Sequence, residues 1–246
     1  MGSTHAEVES ALSADQKAAL RRAALNGEYH LLLGAGASLD SRSKKGRDLP
    51  DSSELSKRLS ARFDVPFDKG DWLWRIYDRA VEEAGQDKVY EWLRAEFWQV
   101  VPPYWFDYYA RSPWNTVWTL NIDNSFEAAH ARVSTESSRR IRPVNWNDEY
   151  SSNRDLSVVH LHGMVDTSEP RELIFSLKEY AGASNSRAAW PLNFRDTYGN
   201  APYVIIGARL RDEPDIEDVV SRRHPGHGAP SFYVAKTISA ATRRDL

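Results

Sequence analysis

The sequence predicts an α/β fold: a mostly parallel sheet with helices on both faces and a helical insert or small second domain. Three observations carry that prediction. In the second half of the chain short apolar runs alternate with helical stretches, the order that builds parallel strands joined by crossover helices. Four apolar runs spread along the chain each end in a cluster of small or polar residues. The segment 64–114 shows only helical periodicity and holds six of the nine tryptophans, which read as core aromatics of that insert.

The elements follow in order. Ser13 with Gln16 reads as a capping box that opens a helix, and Gly27 as its left-handed stop. Tyr29 to Leu33 reads as a buried strand. Asp51 with Glu54 opens a helix that runs through Arg62. From Trp72 to Val100 the apolar residues recur at helical spacing, with Trp72, Ile76, Ala80 and Ala84 on one face and Val89, Leu93, Phe97 and Val100 on another. Then come a strand at Thr116 to Leu120, a helix at Asn124 to Ala131, and strands at Val158 to Leu161, Leu173 to Phe175 and Tyr203 to Ile206. A helix at Pro214 to Val220 and a strand at Phe232 to Ala235 complete the reading. The sequence ends on a helix just starting at Ile238 to Leu246, so it reads as the N-terminal part of a longer protein.

Composition excludes several classes. The 246 residues suffice for one large α/β domain without staples. A net charge of −3 gives no footprint for nucleic acid or an anionic membrane. The absence of cysteine removes disulfides, a thiol nucleophile and any CxxC zinc site, and fits a cytoplasmic location. The N-terminus has no apolar signal region, and Ala6 breaks the myristoylation pattern that Gly2 would begin.

Four segments carry candidate chemistry. Gly34-Ala35-Gly36-Ala37-Ser38 follows the first strand, where glycines let a phosphate approach the main chain. Leu39 breaks the full GxGxxG pattern, and a plain tight turn explains the glycines equally well. Thr119-Leu120-Asn121-Ile122-Asp123 ends the second strand. Its polar side chains face the crevice where such sheets bind ligands, although Asp123, or Asn124 with Glu127, would also serve as a helix cap. His160-Leu161-His162-Gly163 places two histidines on one face; a third metal ligand is lacking, and Gly163 leaves room beside the His162 ring. Gly207-Ala208-Arg209-Leu210-Arg211-Asp212 follows another apolar strand. On a Rossmann-type parallel sheet all four ends lie along one edge, where a dinucleotide sits.

In content and order this motif set, from about Tyr29 to Lys236, resembles the sirtuin family. It is most similar to the prokaryotic sirtuin-like NAD hydrolases that act as effector domains of antiphage defence, fused to or partnered with a STAND-type ATPase, a HerA-type ATPase or a short Argonaute. The resemblance implies roles. Gly34, Ala35, Gly36, Ala37 and Ser38 would cradle the pyrophosphate. Thr119 would line the nucleotide crevice. Asn121 would position the ribose and a water, and Asp123 would hold the nicotinamide amide. His162 would take a ribose hydroxyl proton. Gly207, Arg209, Leu210 and Asp212 would approach the adenosine ribose. NAD is then a substrate, no metal is expected, and assembly through a sensor partner is expected.

Two departures bear on the reaction. Deacylating sirtuins carry a four-cysteine zinc module, and this chain has none. Their phenylalanine–arginine pair after the glycine turn is not evident, although Arg42 and Arg47 lie nearby. Cleavage of the nicotinamide–ribose bond to nicotinamide and ADP-ribose is the expected reaction. A protein deacylase and a non-catalytic NAD or ADP-ribose sensor are the alternatives.

Overall fold

The strands form a six-stranded sheet in the order β3-β4-β2-β1-β5-β6, and every pairing in it is parallel. The computed structural model describes residues 12–68, 70–136, 138–151, 154–166, 172–208 and 229–234. The strands are β1 (His30–Leu33), β2 (Val117–Thr119), β3 (Ile141–Asn145), β4 (Leu156–His160), β5 (Tyr203–Ile206) and β6 (Phe232–Val234). The helices are α1 (Ala14–Leu25), α2 (Ala35–Ser38), α3 (Ser52–Phe63), α4 (Leu73–Ala84), α5 (Gln86–Phe97), α6 (Phe106–Arg111), α7 (Ser125–Val133), α8 (Leu177–Asn185) and α9 (Ala189–Asn200). The four strands expected as central neighbours do lie side by side, as β4-β2-β1-β5.

Local signals explain most boundaries. Ser13 and Gln16 form the reciprocal capping box, and Gly27 takes φ 65° after α1. Asp51 accepts the Glu54 N–H at 2.8 Å. The long helical stretch is cut in two by Gly85 at φ 88°, a conformation only glycine adopts cheaply.

Both faces of the sheet are covered, which is why β1 is buried at every position. On one face Leu32, Trp118, Val159 and Ile205 pack against Trp190, Phe194 and Tyr198 of α9. On the other, Leu31, Leu33, Val117, Val158 and Ile206 pack against Phe106 and Ala110 of α6 and Phe126 and Ala129 of α7. A third core joins α3, α4 and α5 through Leu55, Leu59, Ile76, Ala80, Val89 and Leu93, and includes Ile122, Val165 and Leu173 from segments that follow the strands. The helices of 73–97 therefore close over the carboxyl edge of the sheet. No helix among the described residues is long and apolar enough to cross a membrane.

Two expectations are corrected or fall elsewhere, and one strand carries little sequence signal. Leu173 to Phe175 is no strand: Leu173 and Ile174 are buried, but the Phe175 N–H donates to Glu179 Oε2, so the segment serves as a helix entry rather than a ladder. The edge strand β3 carries Pro143, which lowers its strand signal and is tolerated because only one side is paired. The expected helix Pro214 to Val220 lies outside the described residues.

His30 gives a testable acid sensitivity. It is buried between Trp118 and Tyr203, and its Nδ1 accepts from Trp118 Nε1 at 3.2 Å. Burial pushes its pKa down to about 4 from 6.5. The unfolded chain therefore takes up this proton first, so the stability it carries is complete above about pH 6.5 and lost as pH falls toward about 4. The loss amounts to about 3 kcal/mol over that window. We expect urea denaturation of His30→Gln to show a smaller stability drop between neutral and acid pH than the parent shows. Equal drops would place the acid sensitivity elsewhere.

Candidate functional site

One row of residues marks the carboxyl edge of the sheet. Register pairs Asn145 with His160, His160 with Thr119, Thr119 with Leu33, Leu33 with Ile206, and Ile206 with Val234. Past this row β1, β2, β4 and β5 each turn out into one of the candidate segments. Chain order also reverses here, since β2 and β4 lie on one side of β1 and β5 and β6 on the other. Loops part at such a reversal and leave a crevice.

The glycine turn sits at the reversal. Gly34 caps α2 directly after β1, and its N–H donates to Ile206 O at 3.0 Å. The Gly36 N–H donates to Gly207 O at 2.9 Å. A Cβ on Gly34 would stand 2.5 Å from Ala208 Cα, and one on Gly207, at φ 67°, only 2.1 Å from the Ala37 nitrogen. These glycines let two turns pack backbone on backbone. The Gly36 amide is engaged within the protein, and Ala35 and Gly36 are the exposed residues of the turn.

Asn121 and Asp123 join the same cluster. Thr119 Oγ1 accepts the Asn121 N–H at 3.0 Å, which tightens the turn past β2. Asn121 Nδ2 donates to Gly34 O at 3.1 Å and to Ser38 Oγ at 3.0 Å. Ser38 Oγ donates to Asp123 Oδ1 at 3.4 Å. Both protons of the Asn121 amide are thus engaged, and the atom left for a ligand is the acceptor Oδ1. Asp123 Oδ1 also accepts the Ser125 N–H at 2.9 Å, so Asp123 caps α7 as well. Burial raises the Asp123 pKa above the usual carboxylate value; the Ser125 hydrogen bonds oppose that shift, Glu127 adds to it and His160 opposes it. The Asn124–Glu127 capping pair does not form: Asn124 Oδ1 accepts from Val100 N–H, and Glu127 turns to His160.

The histidine segment is laced to the same loop. Leu161 N–H donates to Thr119 O at 2.9 Å, and Val165 N–H to Ile122 O at 3.2 Å. His162 lies between these ties, 5% exposed, with its ring edge-on to Tyr180 at 5.3 Å. Gly163 takes φ 82°, and a Cβ there would stand 2.3 Å from Glu172 O. The space a Cβ would take at Gly163 is therefore filled by the Glu172 main chain. His160 is fully buried, and each ring nitrogen has a protein partner, Asn121 O and Glu127 Oε1. Among the described residues no group of three or more histidines and carboxylates is placed to hold a metal.

Arg209, Leu210 and Asp212 lie outside the described residues. Arg42 exchanges both main-chain hydrogen bonds with Val101, at 2.9 and 2.7 Å, and its side chain pairs with Asp48. Arg47 and Lys45 pair with Glu96, whose side chain is 2% exposed. Glu96 thus anchors the segment after the glycine turn, a role sequence reasoning missed. The available signal was an acid within the apolar stripe of α5, beside Leu93 and Phe97. Glu127, read from the sequence as a capping partner of Asn124, pairs instead with His160, 33 residues away.

Parallel strands, helices on both faces and a glycine turn at the chain reversal define a Rossmann-like α/β domain. The family model for the SIR2-like domain matches residues 115–244, more than half of the chain, so the chain belongs to the SIR2-like family. The matched span includes Asn121, Asp123, His162 and Gly207, while the glycine turn at Gly34 to Ser38 precedes it. No curated protein matches the chain.

Proposed function

We propose that the chain is an NAD hydrolase that cleaves the nicotinamide–ribose bond, and that it acts as the NAD-depleting effector of a prokaryotic antiphage defence system. The observation that carries this reading is the hydrogen-bonded cluster of Gly34, Ser38, Asn121 and Asp123 at the chain reversal, with the His162 segment tied against it. Nicotinamide bears positive charge in NAD and leaves neutral, so its departure needs no strong acid. The glycosidic bond breaks toward an oxocarbenium-like centre, its electron pair staying on the ring nitrogen of nicotinamide. A water oxygen then bonds the anomeric carbon, and one proton leaves.

The chain's own groups fit these needs. Asn121 Oδ1 accepts from a ribose hydroxyl or the water. Asp123 lies beside Asn121, where it would take the nicotinamide amide, and burial raises its pKa above the usual carboxylate value. The imidazole of His162 accepts the hydroxyl proton. Such acid–base help is worth roughly 100- to 10,000-fold. Without cysteine the chain cannot build the four-cysteine zinc module of deacylating sirtuins. Control falls to assembly with a STAND-type ATPase, a HerA-type ATPase or a short Argonaute, because an unregulated enzyme would drain its own cell.

Nicotinamide release from NAD tests the reading. We expect concentrated, assembled protein to release nicotinamide with no peptide present, and dilute monomer to be slow. Release only on addition of an acyl-lysine peptide would make the chain a deacylase. Calorimetric NAD binding with no release at any concentration would make it a sensor.

A further inference from the structure

His160 lies outside the chemistry assigned above, yet both of its ring nitrogens have protein partners beside the site. Its ring is fully buried at the last position of β4. Nδ1 stands 2.9 Å from the Asn121 carbonyl oxygen, and Nε2 stands 2.8 Å from Glu127 Oε1 on α7. A carbonyl only accepts, and an ionised carboxylate only accepts. A neutral imidazole has one N–H and cannot donate to both. With Glu127 ionised, the two contacts call for a second ring proton, and that carboxylate is the counter-charge. The second carboxylate oxygen, Glu127 Oε2, is buried with no hydrogen-bond partner among the described residues, so His160 is the carboxylate's hydrogen-bonded neighbour.

We propose that His160, held as an imidazolium by Glu127, is a positioning residue that fixes the Asn121 peptide and, through it, the reach of the Asn121 side chain. The tie acts on the residue whose amide bridges Gly34 O and Ser38 Oγ, so a small swing of this peptide moves the whole cluster. The titratable groups acting on the ring are Glu127 from α7 and Asp123 from the loop after β2. Burial opposes the charge, while the Glu127 carboxylate, its hydrogen bond, the Asn121 carbonyl and Asp123 favour it; the balance lies above the ordinary histidine value. The stability this ring contributes is complete below its ordinary pKa and is lost only as pH rises through the higher folded value.

The proposal rests on the NAD-cleavage reading for its activity arm alone, and Glu127→Gln in the full chain tests it. Glutamine keeps the shape but removes the counter-charge, so the ring loses its second proton; with the glutamine oxygen turned to Nε2, the bare nitrogen is Nδ1 and the tie to Asn121 O is lost. Nitrogen-15 spectra of the wild-type chain should show both His160 ring nitrogens still protonated at pH values above the ordinary histidine pKa. In E127Q one nitrogen should be bare at neutral pH, and the Asn121 side-chain amide signals should shift. Turnover in E127Q should fall roughly 10- to 100-fold in kcat, the scale of a misplaced catalytic group, with KM little changed. The ratio of variant to wild-type kcat should recover as pH falls, because acid restores the second proton. A bare His160 nitrogen in the wild-type chain, or E127Q with unmoved Asn121 signals, would overturn the proposal. If wild-type protein releases no nicotinamide, the NAD-cleavage reading falls by itself and the two spectroscopic results still decide the role of His160.

Discussion

Asn121→Ala and His162→Ala should each lower NAD turnover by roughly 100-fold or more, and the double variant should be little worse than either. Groups that act as one unit lose nearly everything with the first removal, so their effects do not add. The structural warrant is that β2 and β4 are register neighbours whose outgoing segments are joined by Leu161 N–H to Thr119 O and Val165 N–H to Ile122 O. Asn121→Ala also strips the donors from Gly34 O and Ser38 Oγ, so a thermal melt must accompany its kinetics. Nicotinamide release by assembled protein is the measurement. Folded His162→Ala with near-wild-type release would remove the proposed proton acceptor, and multiplicative losses in the double variant would separate the two residues into independent roles.

Gly207→Ala should be the most damaging single methyl addition in the described chain. The new Cβ would lie 2.1 Å from the Ala37 nitrogen and 2.4 Å from the Gly36 carbonyl carbon, and both are backbone atoms that cannot swing aside. The residue would also be held at φ 67°, a left-handed conformation that L side chains resist. Overpacking and backbone strain together should cost about 2 to 4 kcal/mol. The damage should reach the site, because Gly36 N–H to Gly207 O is one of the bonds that hold the two turns together. Gly199→Ala, inside α9 with open space around the new methyl, should instead stabilise by about 0.5 to 1 kcal/mol. Urea denaturation of both variants checks the contrast, and equal stability of the two would refute the close-packed turns.

Much of this molecule was legible without coordinates. Leu31 to Leu33, Val117 to Leu120, Val158 to Leu161 and Val204 to Ile206 are largely apolar runs of strand length in a chain that alternates with helices. Such runs have few ways to bury themselves other than as adjacent parallel strands. The caps at Ser13 and Asp51 and the stop at Gly27 are contacts within a few residues, so their spacing in the chain reports them directly. The less legible elements had mixed signals: Pro143 weakens β3, and Pro191 with Gly199 obscures the Trp190, Phe194 and Tyr198 stripe of α9.

Sequence by itself determined the α/β class, the four central strands and which segments leave the carboxyl edge, because alternation, apolar run length and glycine position are local properties. Only the tertiary structure decided what those residues do to one another. The glycines at 34, 36 and 207 serve backbone-to-backbone packing of two turns more than 170 residues apart, and no local pattern records that distance. The protons of the Asn121 amide turn inward, leaving its acceptor for a ligand. His160 and Glu127 find each other across 33 residues. A buried charge is stable only when paired, and its partner is set by which helix packs on which strand, a choice made by the whole core.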